Sequence, residues 1–398
     1  MSADARRPSV FMMDLLATVP YYTAYLSKAL LREPVDLMVG SISYYLDPGC
    51  FSDRGIMVDP GLLDVVGKFR LPRLPRRILK LLEGIVNLCA LTVRFAVSPP
   101  DVIHVQFLPM LKTRLPLDLW FMQFCGWRGS KIVLTVHDLL PHDTGEEYKA
   151  TFDKLYGRVD AIICHSDSVR TRLETEFRVP EEKISVIPHG PFFYDLPATD
   201  GEETLKSFAL ETGKTLVLWQ GIIFPYKGID LLLRAWQQVE AKCGDACLVI
   251  AGTGAPELLQ EIRAQVKGLG LRRVKLHFHF VTSEELVALY RAADVVVYPY
   301  RAITTSGSLA TGLAMGKAIV ASDLPVFREL LTDRENVLLV APQDSDALAG
   351  ALIELVRDSA LRERLAGKVR AMNFGDESWH AIAKQTMETY ERVLSHSG

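Results

Sequence analysis

Short apolar runs rich in β-branched residues alternate with helix-period patterns along nearly the whole chain, in two series separated by an interruption near the middle. Strands buried on both faces and joined through helices form parallel sheets, because a parallel pair needs a crossover long enough to hold a helix. In the first series strands are predicted at 9–16, 35–40, 102–107, 132–137, 161–165 and 184–187. Helices at 21–31, 78–95, 115–124, 146–156 and 168–177 carry apolar residues at helical spacing. The second series starts its strands at Leu216 and continues near 247–251, 274–280, 295–298, 318–321 and 337–340. Between them, Pro188 to Lys214 gathers prolines, glycines and acidic residues, as an interdomain linker does. The predicted class is α/β, with two doubly wound, Rossmann-like domains facing across a cleft.

With 398 residues the chain exceeds what one core normally covers, so two domains are expected. Lys plus Arg (45) nearly balance Asp plus Glu (48), so no global field draws the protein to nucleic acid. Cys50, Cys89, Cys125, Cys164, Cys243 and Cys247 are scattered, mostly in apolar runs, and read as reduced core residues. Cys243 and Cys247 alone do not make a metal site, since zinc takes about four ligands. The first residues, Met1-Ser-Ala-Asp-Ala-Arg-Arg, lead straight into a strand without an apolar signal core, and a cytoplasmic location is expected.

Two loops of the second half are suited to an anion. After the strand Val295 to Tyr298 comes a stretch with Arg301, Thr304, Thr305, Ser306, Gly307 and Ser308, just where a helix begins. Unpaired amides in a helix's first turn, its macrodipole and nearby hydroxyls all favour negative charge, and Gly307 lets a ligand approach the backbone. Upstream, the strand from Leu216 meets Gly221, a short loop and Lys227-Gly228 before the next helix. An ammonium placed there can cap a diphosphate as a point charge; the alternative is a solvated lysine at a turn. Two such elements in one α/β half, in this order, favour the phosphate pocket.

On these residues the chain resembles a GT-B glycosyltransferase of the large retaining family 4, which transfers a sugar from a nucleotide diphosphate. The likeness covers nearly the whole length and is strongest after Thr215. It rests on Gly221 through Lys227-Gly228 to Ala235, on Leu248 to Gly254 with Gly252, on Glu285 to Asp294, and on Ala314 to Ala321. The resemblance implies an N-terminal acceptor-side domain, 1–195, and a C-terminal donor-binding domain, 196–376, with a last helix, 377–398, crossing back to the first. Trp379, Ile382, Met387 and Leu394 form part of that helix's apolar face. The family's pattern of a glutamate, seven residues and a second glutamate is replaced, its positions falling at Ile303 and Thr311. The sugar and ribose contacts of those carboxylates are therefore not carried over. Ile222 stands where the family commonly has an arginine. Arg301 is a candidate for the lost cation, with an ordinary surface arginine as the other reading. Base recognition is expected partly through backbone groups near Phe280 to Thr282.

In the first half, Val133 to Pro141 ends a strand with His137-Asp138, matching the strand-end histidine that in relatives approaches the transferred sugar. Imidazole suits hydrogen bonding or proton transfer near neutral pH, and a neighbouring carboxylate can fix its tautomer. The other reading is a His-Asp pair capping a turn or helix. His165 and His189 also follow strands and rank below His137, with Asp138 and His189 as secondary or acceptor-side candidates. The resemblance implies transfer to a saccharide or lipid-linked saccharide acceptor with retention, in polysaccharide or glycolipid biosynthesis. Lys227 and the amides near Thr305 to Ser308 would stabilise the departing diphosphate, so neither metal nor cofactor is expected. An isomerase of the UDP-sugar 2-epimerase type and a binding or scaffold protein that has lost catalysis stay open.

Residues 68 to 83 mix basic and apolar side chains with almost no acid, and such a stretch, here Lys68 to Lys80, can lie on an anionic membrane surface. The alternative is a loop feeding a core helix from Arg77 to Val97 with its cations solvated. Glu83, Asn87 and Arg94 argue against a membrane span.

Overall fold

Valine, isoleucine and leucine fill both pleat faces of the central strand runs, which are buried in two all-parallel sheets, while the edge runs 36–41 and 274–277 are only partly buried. The computed structural model describes residues 6–69, 73–111, 116–140, 146–196, 206, 208, 210 and 213–395, with 67, 73 and 74 described in backbone alone. Residues 70–72 of the basic segment, Pro141 of the histidine strand-end stretch and much of the expected linker lie outside them. The chain divides into two compact units, Met1–Pro188 with Trp379–Gly398, and His189–Ser378. The division thus falls at the first residue of the linker expected from composition.

The first unit contains β1 (Ser9–Asp14), α1 (Pro20–Leu30), β2 (Asp36–Ser41), α2 (Arg73–Val97), β3 (Val102–Val105), α3 (Leu117–Trp127), β4 (Lys131–Thr135), α4 (Lys149–Arg158), β5 (Ala161–Cys164), α5 (Asp167–Phe177) and β6 (Ile184–Val186). Its strand order is β2-β1-β3-β4-β5-β6, all neighbours parallel. Phe11, Met13, Leu88, Leu91, Ile103 and Phe121 belong to one continuous core. Pro20 at the first turn starts α1, and Ser166 caps α5 by accepting from the Val169 amide. The helix expected at 78–95 begins earlier, at Arg73, and ends at Val97.

The second unit contains β7 (Thr215–Gln220), α6 (Ile229–Lys242), β8 (Ala246–Ala251), α7 (Pro256–Gly268), β9 (Val274–His277), α8 (Ser283–Ala292), β10 (Val295–Tyr298), α9 (Gly307–Ala314), β11 (Ala318–Ser322), α10 (Pro325–Arg328), β12 (Leu338–Val340), α11 (Ser345–Arg357) and α12 (Ser359–Ala371). The strand order is β12-β11-β10-β7-β8-β9, again parallel throughout. β9 stops at His277, short of the expected 280, where a loop leads into the Thr282–Glu285 capping box of α8. The last helix, α13 (Asp376–Ser395), belongs to the first unit from Trp379 onward. In both sheets chain order reverses at a central pair, β1 and β3 in one and β7 and β10 in the other. Ligands of open α/β sheets bind at such switch points, beyond the carboxyl ends of the strands.

Candidate active site

The loops after β7 and β10 leave neighbouring strands at the switch point of the second unit. Gly221 follows β7 with φ 147° and Gly252 follows β8 with φ 151°. A Cβ at 252 would stand 1.9 Å from the Gly221 carbonyl oxygen, and one at 221 would stand 2.9 Å from Lys227 Nζ and 3.6 Å from Ser308 Oγ. Both positions therefore need glycine, and the space that Gly221 leaves lies beside the ammonium. Lys227 ends the short turn Pro225–Lys227, and left-handed Gly228 opens α6.

Only 9% of Lys227 is exposed. Its Nζ lies 6.0 Å from the Trp219 ring centroid and 5.7 Å from that of Tyr300. Burial pulls its pKa down to about 8, with no carboxylate among the described residues raising it. A desolvated ammonium flanked by aromatic faces and lacking a counter-charge is the state that a bound anion relieves. The Tyr300 hydroxyl is buried without a hydrogen bond, the Ser306 and Ser308 side chains lying beside it outside bonding geometry. Arg301 is committed elsewhere: its guanidinium donates to the Pro225 carbonyl and to Asp230, each at 2.7 Å, and its amide donates to the Tyr226 carbonyl at 2.7 Å. It braces the loop that carries Lys227.

The start of α9 faces the same space. Ser306 caps the helix, its Oγ accepting from the Leu309 amide at 3.1 Å. Tyr298 and Tyr290 donate to the Ser308 carbonyl at 2.7 and 3.2 Å and so fix the first turn. Thr304, Thr305 and Ser308 are half-buried around it. His189 also arrives here, since a Cβ at Gly307 would lie 3.2 Å from its Cε1 and 2.7 Å from Phe192 Cε2. Thr311, buried, donates to the Gly307 carbonyl at 2.8 Å and accepts from the Phe192 amide at 3.3 Å. One of the positions that lost its carboxylate is thus sealed by the segment 189–193, while Ile303 is half-buried and Ile222 exposed.

The first unit places His137 just beyond β4, near the ends of β1 and β3. Its ring meets Tyr22 edge-on at 4.7 Å, and the His165 ring is 5.4 Å away. His137 Nε2 contacts Gln106 Oε1 at 3.1 Å, and Gln106 Nε2 contacts His104 Nε2 at 3.1 Å. His104 also meets Thr135 Oγ1 at 2.7 Å and the Tyr390 hydroxyl at 2.6 Å. Burial pushes the His104 pKa down to about 3, so this ring is neutral. With the Gln106 amide donating to His104, His137 must donate from Nε2 to the Gln106 carbonyl oxygen. His165 is held neutral too, its pKa lowered to about 4 by burial, with Nδ1 donating to the Ile187 carbonyl at 3.0 Å. Asp138 is exposed. Asp14, fully buried at the end of β1, accepts from the Thr18 and Val19 amides at 2.8 and 3.0 Å and shapes the loop into α1.

Gly221, Lys227 and Ser306 to Ser308 converge in the second unit, joined by His189. Gly252 and Arg301 stand one layer behind them. Sequence reasoning missed Trp219 and Tyr300 as walls around the lysine, and Gln106, His104 and Tyr390 as the relay behind His137. Trp219 and Tyr300 both sit inside motif stretches and were legible only as apolar residues.

Comparison with known proteins agrees with this geometry. Residues 19–190 match the family model described as Glycosyltransferase Family 4, and residues 214–358 match the one described as Glycosyl transferases group 1. An uncharacterized glycosyltransferase of Methanocaldococcus jannaschii is 28% identical over 63% of this chain and 64% of its own length. A phosphatidyl-myo-inositol mannosyltransferase of Mycobacterium leprae is 37% identical over 46% of this chain and 48% of its own. The matched region thus spans less than two thirds of the length of these relatives. Among solved structures, Anabaena HepE in complex with UDP and glucose superposes with a TM-score of 0.75 at 17% identity, covering 96% of this chain and all (100%) of that one. WaaG, a glycosyltransferase involved in lipopolysaccharide biosynthesis, gives 0.64 at 15% identity over 94% and 98%. Fold, switch-point loops and sequence together identify the chain as a family 4-like glycosyltransferase of the GT-B fold.

Proposed function

We propose that this protein transfers a glycosyl group from a nucleoside diphosphate sugar to a hydroxyl of a saccharide or lipid-linked saccharide. The observation that carries this reading is Lys227: a buried ammonium without a counter-charge among the described residues, beside Gly221 and Ser308 at the start of α9. In the reaction the bond from the anomeric carbon to the diphosphate oxygen breaks, its electron pair leaving with the diphosphate. The acceptor oxygen bonds to that carbon, and its proton passes to the departing phosphate oxygen. Lys227 and the first amides of α9 stabilise the charge that develops on the leaving group. Gly221, Gly252 and Thr304 to Ser308 shape that pocket, and Arg301 positions its lysine loop. His137, with its tautomer set by Gln106, is the candidate first-unit contact to the sugar, and Asp138 and His189 are secondary candidates.

The mannosyltransferase relative and the HepE complexes with UDP and UDP-glucose support a nucleotide-sugar donor. Retention of configuration and metal independence are further parts of the proposal. Strong inhibition by EDTA reversed by magnesium would refute the latter. The test is product analysis with UDP-, GDP-, ADP- and dTDP-sugars, with and without saccharide and lipid-linked acceptors. Release of nucleoside diphosphate coupled to a new glycoside is expected. Interconversion of the donor without acceptor would favour the isomerase, and binding without consumption the scaffold.

A further inference from the structure

Helix α2 is amphipathic in the inverted sense. Beyond its first turns, polar residues lie on the inner side: buried Glu83 accepts from the Val65 and Val66 amides at 2.5 and 3.2 Å, buried Asn87 exchanges two hydrogen bonds with the Leu63 backbone at 2.7 and 2.9 Å, and half-exposed Arg94 pairs with Asp59 at 2.5 Å. Leu88, Leu91 and Phe95 complete the inner side. The outer side, from Ile78 to Val97, carries no charge. Leu82 (52% exposed), Val86 (51%) and Val93 (71%) stand on it at helical spacing, together with exposed Ile78, Leu79, Leu81 and Val97. The loop that Glu83 and Asn87 hold against the helix adds exposed Leu63, Val65 and Phe69. Beside α2, linked through the Phe95–Phe121 ring contact at 6.1 Å, α3 exposes Trp120 and Trp127. Soluble monomers rarely leave so continuous an apolar surface open to water.

We propose that this face of α2, with the 63–69 loop, lies in the headgroup–acyl boundary of an anionic bilayer. Three features select a bilayer as the occupant. Cations border the apolar side, with exposed Lys68 and Arg77 at its N-terminal end and Arg128 beside Trp127. Tryptophan is favoured at headgroup depth, where its ring is apolar and its N–H is wet. No helix among the described residues is long and apolar enough to cross a membrane, so the helix lies along the surface. Glu83 and Asn87, which with Arg94 argue from sequence against a membrane span, are buried in the fold, and Arg94 reaches Asp59 from the margin of the inner side. The surface is therefore a wide apolar face with Lys68 and Arg77 at its basic edge.

The inference does not depend on sugar transfer, because binding is read without donor or acceptor. The full chain is sedimented with phosphatidylcholine vesicles and with vesicles containing about one third phosphatidylglycerol, as wild type and as Leu82→Glu/Val86→Glu. Val93→Glu serves as a second variant should the first fail to fold, and each variant's melting temperature reports folding. The wild type should bind the anionic vesicles and release them as salt rises. Each substitution should weaken partitioning by about tenfold or more. Wild type that stays in the supernatant, variants that bind unchanged, or equal binding to neutral vesicles would each overturn the proposal. So would a wild-type dimer, dissociated by the substitutions, that ignores vesicles; a second copy of the chain would then be the occupant.

Discussion

Replacing Lys227 by methionine should make the ligand-free protein more stable while removing its hold on a diphosphate. Burial lowers the lysine from its ordinary 10.5 to about 8. At roughly 1.4 kcal/mol per tenfold change in proton affinity, the charged form destabilises the fold by roughly 3 kcal/mol near neutral pH. Methionine keeps the stem's apolar volume, whereas loss of the ring contacts to Trp219 and Tyr300 takes back about 1 kcal/mol. The net gain of about 2 kcal/mol corresponds to a rise of roughly 4–8 °C in melting temperature for a unit of this size. The pH dependence follows from the same displacement. Because the folded-state value lies below the unfolded one, the unfolded chain holds more protons between about 8 and 10.5. Wild-type stability should therefore rise as pH climbs through that window, and the destabilisation is fully present below it. The variant should lack this rise. Denaturant melts of both proteins at pH 7 and at about pH 9.5 provide the assay. A melting temperature that falls in Lys227→Met, or a wild-type rise that persists in it, would refute the picture of a desolvated, unpaired ammonium.

Gly252→Ala places a Cβ 1.9 Å from the Gly221 carbonyl oxygen at φ 151°. It should cost about 3 kcal/mol or more in denaturant melts, and a loss below about 1 kcal/mol would contradict the close approach. Arg301→Ala and Asp230→Asn should be non-additive, with a coupling of about 1 kcal/mol in a double-mutant cycle. Each should weaken nucleotide binding in calorimetry by loosening the Lys227 loop, and unchanged affinity would restrict the pair to bracing the fold. Thr311→Glu, restoring the family's carboxylate at a buried position, should destabilise by about 3 kcal/mol without improving nucleotide affinity. Tighter binding would show that the segment 189–193 yields to a ribose contact. Gln106→Glu, which removes the amide donor to His104, should lower kcat about tenfold in the glycosyl-transfer assay while leaving the donor KM unchanged. A raised KM with kcat unchanged would assign Gln106 to binding.

Most of the two sheets was legible because parallel, doubly covered strands are near-continuous runs such as Val295 to Tyr298, which few other structures tolerate. The Gly221–Lys227–Gly228 and Ser306–Ser308 stretches were legible as anion loops because glycine and hydroxyl residues at helix starts have local causes. The burial of Lys227 was not, since it depends on rings at 219 and 300 that converge only once β7 and β10 pair. The same holds for the His137 relay, whose His104–Tyr390 contact joins residues 286 positions apart. Helix α2 shows a different limit. Apolar residues occur all round it, so periodicity alone could not say which side faces out, and hydrogen bonds from Glu83 and Asn87 to the 63–66 backbone decide it.

The central claim is that Lys227 receives the diphosphate of a nucleotide donor. Titrating UDP, GDP, ADP and dTDP calorimetrically into wild type and Lys227→Met at neutral pH tests it most directly, because it needs no acceptor. One nucleotide should bind the wild type selectively, and the substitution should weaken it by about a hundredfold, the loss of one charge-assisted contact to a buried phosphate. Equal affinity in the two proteins, or no binding of any of the four to the wild type, would contradict it.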